Sequence, residues 1–102
     1  MVAIHILSNS ENSANKIIDF LFENELIFEV VTMKEVTRRS KRAGTNQSAY
    51  LTIGITKALL FKQISEEINA RFIQDDPTVF SLPIVDMDPE KQKELINLTR
   101  SV

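Results

Sequence analysis

A chain of 102 residues with a formal net charge of −2 is sized for one domain, residues 1–102, and carries no global charge signal for nucleic acid. Zero cysteines exclude disulfides, thiol nucleophiles and thiolate metal sites. No apolar run reaches the ~18 residues of a membrane span. The start Met1-Val2-Ala3-Ile4-His5-Ile6-Leu7 lacks the basic flank of a signal segment, so the cytoplasm is the expected compartment and no membrane partner is expected.

Val2 to Leu7 is a short apolar run, read as a buried strand. Ser8-Asn9-Ser10-Glu11 then offers several helix starts, including a capping box from Ser8 to Glu11. Ala14, Ile17, Ile18, Leu21 and Phe22 follow at helical spacing, one apolar stripe, and Asn24 can close the helix in a left-handed conformation. Ile27 to Thr37 is rich in β-branched residues and predicts a second strand. Arg38 to Asn46, polar and basic with Gly44, predicts a hairpin connection to a returning strand, Ser48 to Ile55. Gly54, late in that strand, marks a bulge or close packing.

Thr56 is a candidate cap for a second helix with the core stripe Leu60, Phe61, Ile64, Ile68 and Phe72, and Glu67 and Arg71 form a favourable i, i+4 pair. Asp75-Asp76-Pro77 breaks the chain before a fourth strand, Thr78 to Val85. Asp88-Pro89 is an N-cap followed by proline at the first helical position, and Leu95 and Leu98 are the expected anchors of a last helix. The order is βαββαβ plus a terminal helix. It predicts an α+β, ferredoxin-like sandwich: a four-stranded antiparallel sheet with two helices on one face and an extra C-terminal helix.

The strands are apolar on both sides. Ile4 and Ile6 face one way and Ala3 and Leu7 the other; Phe80, Leu82 and Ile84 oppose Val79 and Val85. A half-solvated antiparallel strand alternates apolar and polar, so two apolar faces need two covers. The helices supply one. A neighbouring subunit is the simplest second; the alternative is the long hairpin folding back over its own sheet. A domain of this size buries only about 60–65% of its unfolded surface, which also favours assembly.

The sharpest charged feature is Arg38, Arg39, Lys41 and Arg42 in the hairpin. It holds four of twelve bases, so the remaining eight against fourteen acids give −6. Such a cluster suits a small anionic ligand or a protein partner, or it is a solvated tip, or it pairs with acidic surface on a neighbouring subunit. No aromatic residue interleaves with it, which argues against single-stranded nucleic acid. His5, the only histidine, lies on the face opposite Ile4 and Ile6; it is either a packed, hydrogen-bonded residue or a metal ligand. As a ligand it needs partners such as Glu29 or Glu35, or its own copies in an oligomer, and imidazole with carboxylates suits Zn²⁺, Ni²⁺ or Cu²⁺. Asp86, Asp88 and Glu90 form an acidic turn, read as a helix start or a hard-cation site. With two glycines, one histidine and no cysteine, there is no phosphate-binding glycine loop and no nucleophile triad, and no enzyme activity is expected.

Pro77-Thr78-Val79-Phe80-Ser81-Leu82-Pro83-Ile84 resembles the proline-led fourth strand of the CutA family, which ends in Leu-Pro-Ile. Leu26 to Val31 resembles the start of that family's second strand, and Asp88-Pro89 sits where many members begin a helix. The element order is similar over nearly the whole chain. Glu29 stands where many members have cysteine and Met87 where glycine is usual; Lys91 and Glu94 replace aromatics of the last helix, and no tryptophan is present. The resemblance implies a homotrimer linked to divalent-metal tolerance, with copper left without its thiolate. A PII-like module binding a nucleotide or other small anion between subunits is the alternative, by analogy of fold and hairpin position.

Overall fold

The computed structural model describes all 102 residues. The elements are β1 (Val2–Ser8), α1 (Glu11–Glu23), β2 (Glu29–Arg39), β3 (Asn46–Thr56), α2 (Phe61–Arg71), β4 (Thr78–Pro83) and α3 (Pro89–Leu98). Short 3₁₀ turns at Ala58–Leu60 and Ile73–Asp75 flank α2. All strand pairs are antiparallel, in the order β2-β3-β1-β4. This is the ferredoxin-like α+β arrangement expected from the element order.

The core lies between α1, α2 and one sheet face. Val2, Ile4 and Ile6 of β1 meet Ile17 and Leu21 of α1 and Leu60, Ile64 and Ile68 at α2. Leu26 and Ile27, on the way into β2, belong to the same cluster. The predicted α2 stripe holds, with Phe61 and Phe72 packed at its margin, and Arg71 meets Glu67 at 2.7 Å. In α1 the stripe is rotated: Phe20 packs on the core and edge-on to Phe72, while Phe22 is exposed.

Several ends differ from the sequence reading, each for a local reason. The cap of α1 is Ser10, whose Oγ accepts from the Ser13 amide at 3.2 Å. Ser8 is not available for a capping box, because the strand carries it into the interior. The left-handed residue is Glu25 (φ 54°), not Asn24. The amide of Leu26 bonds the Leu21 carbonyl and that of Glu25 bonds the Phe22 carbonyl, a Schellman closure in which Leu26 packs with Leu21. Thr56 caps nothing; it is buried and donates to the Leu26 carbonyl at 2.7 Å. At the hairpin both strands reach two residues further than expected, β2 to Arg39 and β3 from Asn46, while β2 begins only at Glu29; this leaves Ser40 to Thr45 as the turn, with Gly44 at φ 75°. Strand β4 ends at Pro83, so Val85 lies outside it and is exposed. Asp88 caps α3 through the Glu90 amide at 3.0 Å, and Leu95 is fully buried, but Leu98 is exposed and Thr99 is buried in its place.

Gly54 is a close-packing glycine. A Cβ at this position would sit 2.6 Å from Ile27 Cδ1 and 3.0 Å from its Cγ1, and Ile27 is itself buried. Gly54→Val is expected to destabilise the fold by about 1–3 kcal/mol through overpacking. Urea unfolding at fixed protein concentration reads this as a lower midpoint; an unchanged midpoint would mean that Ile27 moves aside freely.

Candidate functional site

Strand register assigns the face opposite the helices. Directly opposed residues share a face, so Ala3, His5 and Leu7 lie beside Ile55, Ile53 and Leu51 on one side and Leu82, Phe80 and Thr78 on the other. Glu29, Val31 and Met33 extend these rows on β2. No helix covers the apolar side chains here: Val31, Met33, Phe80 and Leu82 are 58, 48, 43 and 52% exposed. The hairpin does not close this face either.

His5 lies in the middle of it, as its alternation with Ile4 and Ile6 predicted. Its ring stacks on Phe80 with centroids 4.9 Å apart, and Nδ1 lies 3.1 Å from the Ala3 carbonyl. A donating Nδ1–H leaves Nε2 as the nitrogen with a free lone pair. Glu29 is on the same face but two strands away and in a different row, roughly 10 Å across the sheet at ordinary strand spacing. Glu35 is occupied in a backbone irregularity, with φ 58°. His5, Glu29 and Glu35 therefore do not converge, and no three His, Asp or Glu side chains of one chain form a metal-holding group. The acidic turn follows suit: Asp88 is a helix cap.

That irregularity shapes the other candidate site. Met33 pairs with Leu51 and Val36 with Ala49, so Lys34 and Glu35 together oppose Tyr50, a β-bulge. The extra residue resets the alternation of β2. Val36 and Arg38 come to the face of Val31 and Met33, while Arg39 turns to the other. The bulge lets the hairpin arc past the end of β1 toward β4. Arg38 Nη2 donates to Thr78 Oγ1 at 2.6 Å, and Arg42 Nη1 meets Asp76 Oδ1 at 3.1 Å. Arg39 instead donates from Nε to Asn46 Oδ1 at 2.6 Å, within the hairpin.

The four basic residues thus do not act as one patch. Arg38 and Arg42 line a polar cleft of about 260 Å³, with Ser40, Gln47, Asn9 and Asp76; Arg39 and Lys41 are not part of its wall. Sequence reasoning missed Asn9, Gln47 and Asp76 here. Their place depends on the bulge, and Lys34-Glu35 carries no turn chemistry that announces one.

The bulge is held from the helix side. Lys34 Nζ lies 3.0 Å from Glu11 Oε1 in the first turn of α1, and Tyr50 donates its hydroxyl to Glu11 Oε2 at 3.4 Å. The Lys34 hydrogen bond holds the Glu11 carboxyl below its ordinary range, and the same bond raises Lys34. Glu11's share of stability is therefore present above its ordinary range and lost as acid protonates it, and Lys34's is lost only in strong alkali.

The class these features define is an open-faced ferredoxin-like sheet with a long, bulged, basic hairpin. No family model and no curated protein matches the sequence. Solved structures do match over nearly the full length. CutA1 from Oryza sativa superimposes with a TM-score of 0.91 at 18% identity, over 99% of this chain and 94% of that one. The divalent cation tolerance protein CutA1 from Thermus thermophilus gives 0.84 at 22%, over 98% and 100%. The periplasmic divalent cation tolerance protein CutA from Archaeoglobus fulgidus gives 0.80 at 19%, over 96% and 98%. The chain has the CutA1 fold, as its Leu-Pro-Ile strand implied.

Tyr50 is the only tyrosine in a chain without tryptophan, so its ionisation can be read directly by ultraviolet absorbance. Desolvation first, and then the Glu11 charge, raise its pKa above the ordinary 10.0. Glu11→Gln removes the second cause and leaves the Lys34 cation nearby. The tyrosinate midpoint is expected to fall in this variant; an unchanged midpoint would show that Glu11 does not face the phenol in solution.

Proposed function

We propose that this chain is a non-enzymatic, CutA-like protein of divalent cation tolerance, working as a homotrimer. The observation that carries the reading is the likeness of fold to CutA1 proteins, which extends over both chains almost end to end. A fold hosts many functions, so the site must contribute as well. What it contributes is an apolar sheet face that one chain leaves exposed, with a single imidazole at its centre.

Covering that face with further copies supports both parts of the proposal. It removes Val31, Met33, Phe80 and Leu82 from water, at about 25 cal/mol per Å² of apolar area buried. It also offers a route by which ligands from more than one chain could be gathered, which a single chain does not provide. In this reading His5, with Nε2 free, is the residue expected to ligate a divalent Zn, Ni or Cu ion, and the carboxylates that join it come from another copy. A cytoplasmic location is kept as part of the proposal; no helix is long and apolar enough to cross a membrane, and one protein of this fold is described as periplasmic. The superimposed structures, all CutA proteins, lend the PII-like alternative no support.

Two measurements test this. In sedimentation velocity at micromolar concentration the protein is expected to run as three chains, and Val31→Asp to dissociate it with its helical content intact. A stable monomer of the unaltered protein removes the assembly. In titration calorimetry, Zn²⁺, Ni²⁺ or Cu²⁺ is expected to bind below millimolar, and His5→Ala to weaken binding at least about tenfold, the usual scale for loss of a ligand or its immediate support. Binding that survives His5→Ala removes His5 from the site.

A further inference from the structure

We propose that the cleft between the hairpin turn and the start of β4 is a binding site for a phosphate group, held by Arg38 and Arg42. The site lies at the hairpin end of the open sheet face rather than at His5, and it does not depend on the metal reading.

The argument begins with unused donors. A guanidinium has five N–H groups in a rigid fork and cannot lose its charge at accessible pH. Arg38 uses one nitrogen, Nη2, on Thr78, and Arg42 uses one, Nη1, on Asp76. Each keeps its remaining nitrogens for a ligand, and both side chains line the same cleft. Those two bonds draw both side chains toward the start of β4.

Ser40 is positioned in the same way. Its carbonyl accepts from the Gly44 amide at 2.9 Å and its Oγ accepts from the Ala43 amide at 3.3 Å, which closes the turn and leaves the hydroxyl proton free to donate. Gln47 and Asn9 add amide groups to the wall, although Asn9 already gives one N–H to the Asp75 carbonyl at 2.7 Å. The lining is almost wholly polar, which disfavours an apolar ligand and suits an oxyanion that takes several donors at once.

Asp76 is the internal competitor. Its carboxylate sits on Arg42 with the two side chains 52 and 78% exposed, and an exposed pair of this kind contributes little to stability. A doubly charged phosphate can displace it or bind alongside it. The field favours approach, because the four cations of the hairpin stand on a chain whose other charges sum to −6 (eight bases against fourteen acids), so anions are drawn to this end.

The geometry also divides the basic cluster. Arg39 is on the opposite strand face and bonded to Asn46, and Lys41 does not line the cleft, so neither should matter beyond general charge. Inorganic phosphate is the probe, titrated by calorimetry into the full-length protein against sodium chloride at matched ionic strength. Arg38→Gln and Arg42→Gln are each expected to weaken binding by about tenfold, one charge-assisted contact. Arg39→Gln and Lys41→Gln should change it by no more than about twofold, the scale of screened surface charge. Asp76→Asn should strengthen binding, a gain that misfolding cannot mimic. Glycerol phosphate run in parallel separates a phosphorylated small molecule from the free ion as the tighter occupant. Equal losses in all four basic variants would reduce the site to diffuse charge and overturn the proposal. So would weaker binding in Asp76→Asn, or no phosphate binding up to about 10 mM, beyond the weak end of specific affinity.

Discussion

The pairing of β1 on both of its edges is the constraint on which the rest of the molecule depends. With β3 on one side and β4 on the other, every residue from Val2 to Leu7 is held in register by two neighbours. The strand cannot rotate or slip without moving its whole apolar set from one face to the other. Val2, Ile4 and Ile6 are thereby committed to the helices, and Ala3, His5 and Leu7 to the open face. The core, the placement of His5 and the exposed apolar surface all follow from one fixed alternation.

The second determinant is local. Two residues, Lys34 and Glu35, stand against Tyr50 alone, and this single bulge redirects a long hairpin. A bulge bends its strand, increases the twist and exchanges the faces beyond it. Here it carries Arg38 round to Thr78 and Arg42 to Asp76, and it leaves Arg39 behind. The Glu11–Lys34 pair and the Tyr50 hydroxyl tie the bulge to the start of α1, so the direction of the hairpin is coupled to the helical layer. All three groups are at or near the surface, and the coupling is correspondingly gentle.

The likeness to CutA1 proteins is a likeness of backbone. At 14 and 22% identity the superposition still covers 97 and 98% of this chain. The open face poses a physical problem for this chain, a sheet with two apolar sides and one set of helices.

How much was legible in the chain divides along the same line. Element order, the α2 stripe, the Asp88-Pro89 start and the two-sided apolar strands depend on short-range periodicity and on residue types with one strong local preference. The sequence by itself determined these, and with them the fold class. It did not determine which serine caps α1, because Ser8 and Ser10 are equivalent until the strand draws Ser8 inside. It did not separate Phe20 from Phe22, which differ only by a rotation that Phe72 decides. That His5, Glu29 and Glu35 do not meet within one chain could not be read before the distance across two strands was known. The four basic residues read as one cluster because they are adjacent in the chain. Only the tertiary structure, through a bulge whose left-handed residue is an ordinary glutamate, decided that two of them face a cleft and two do not.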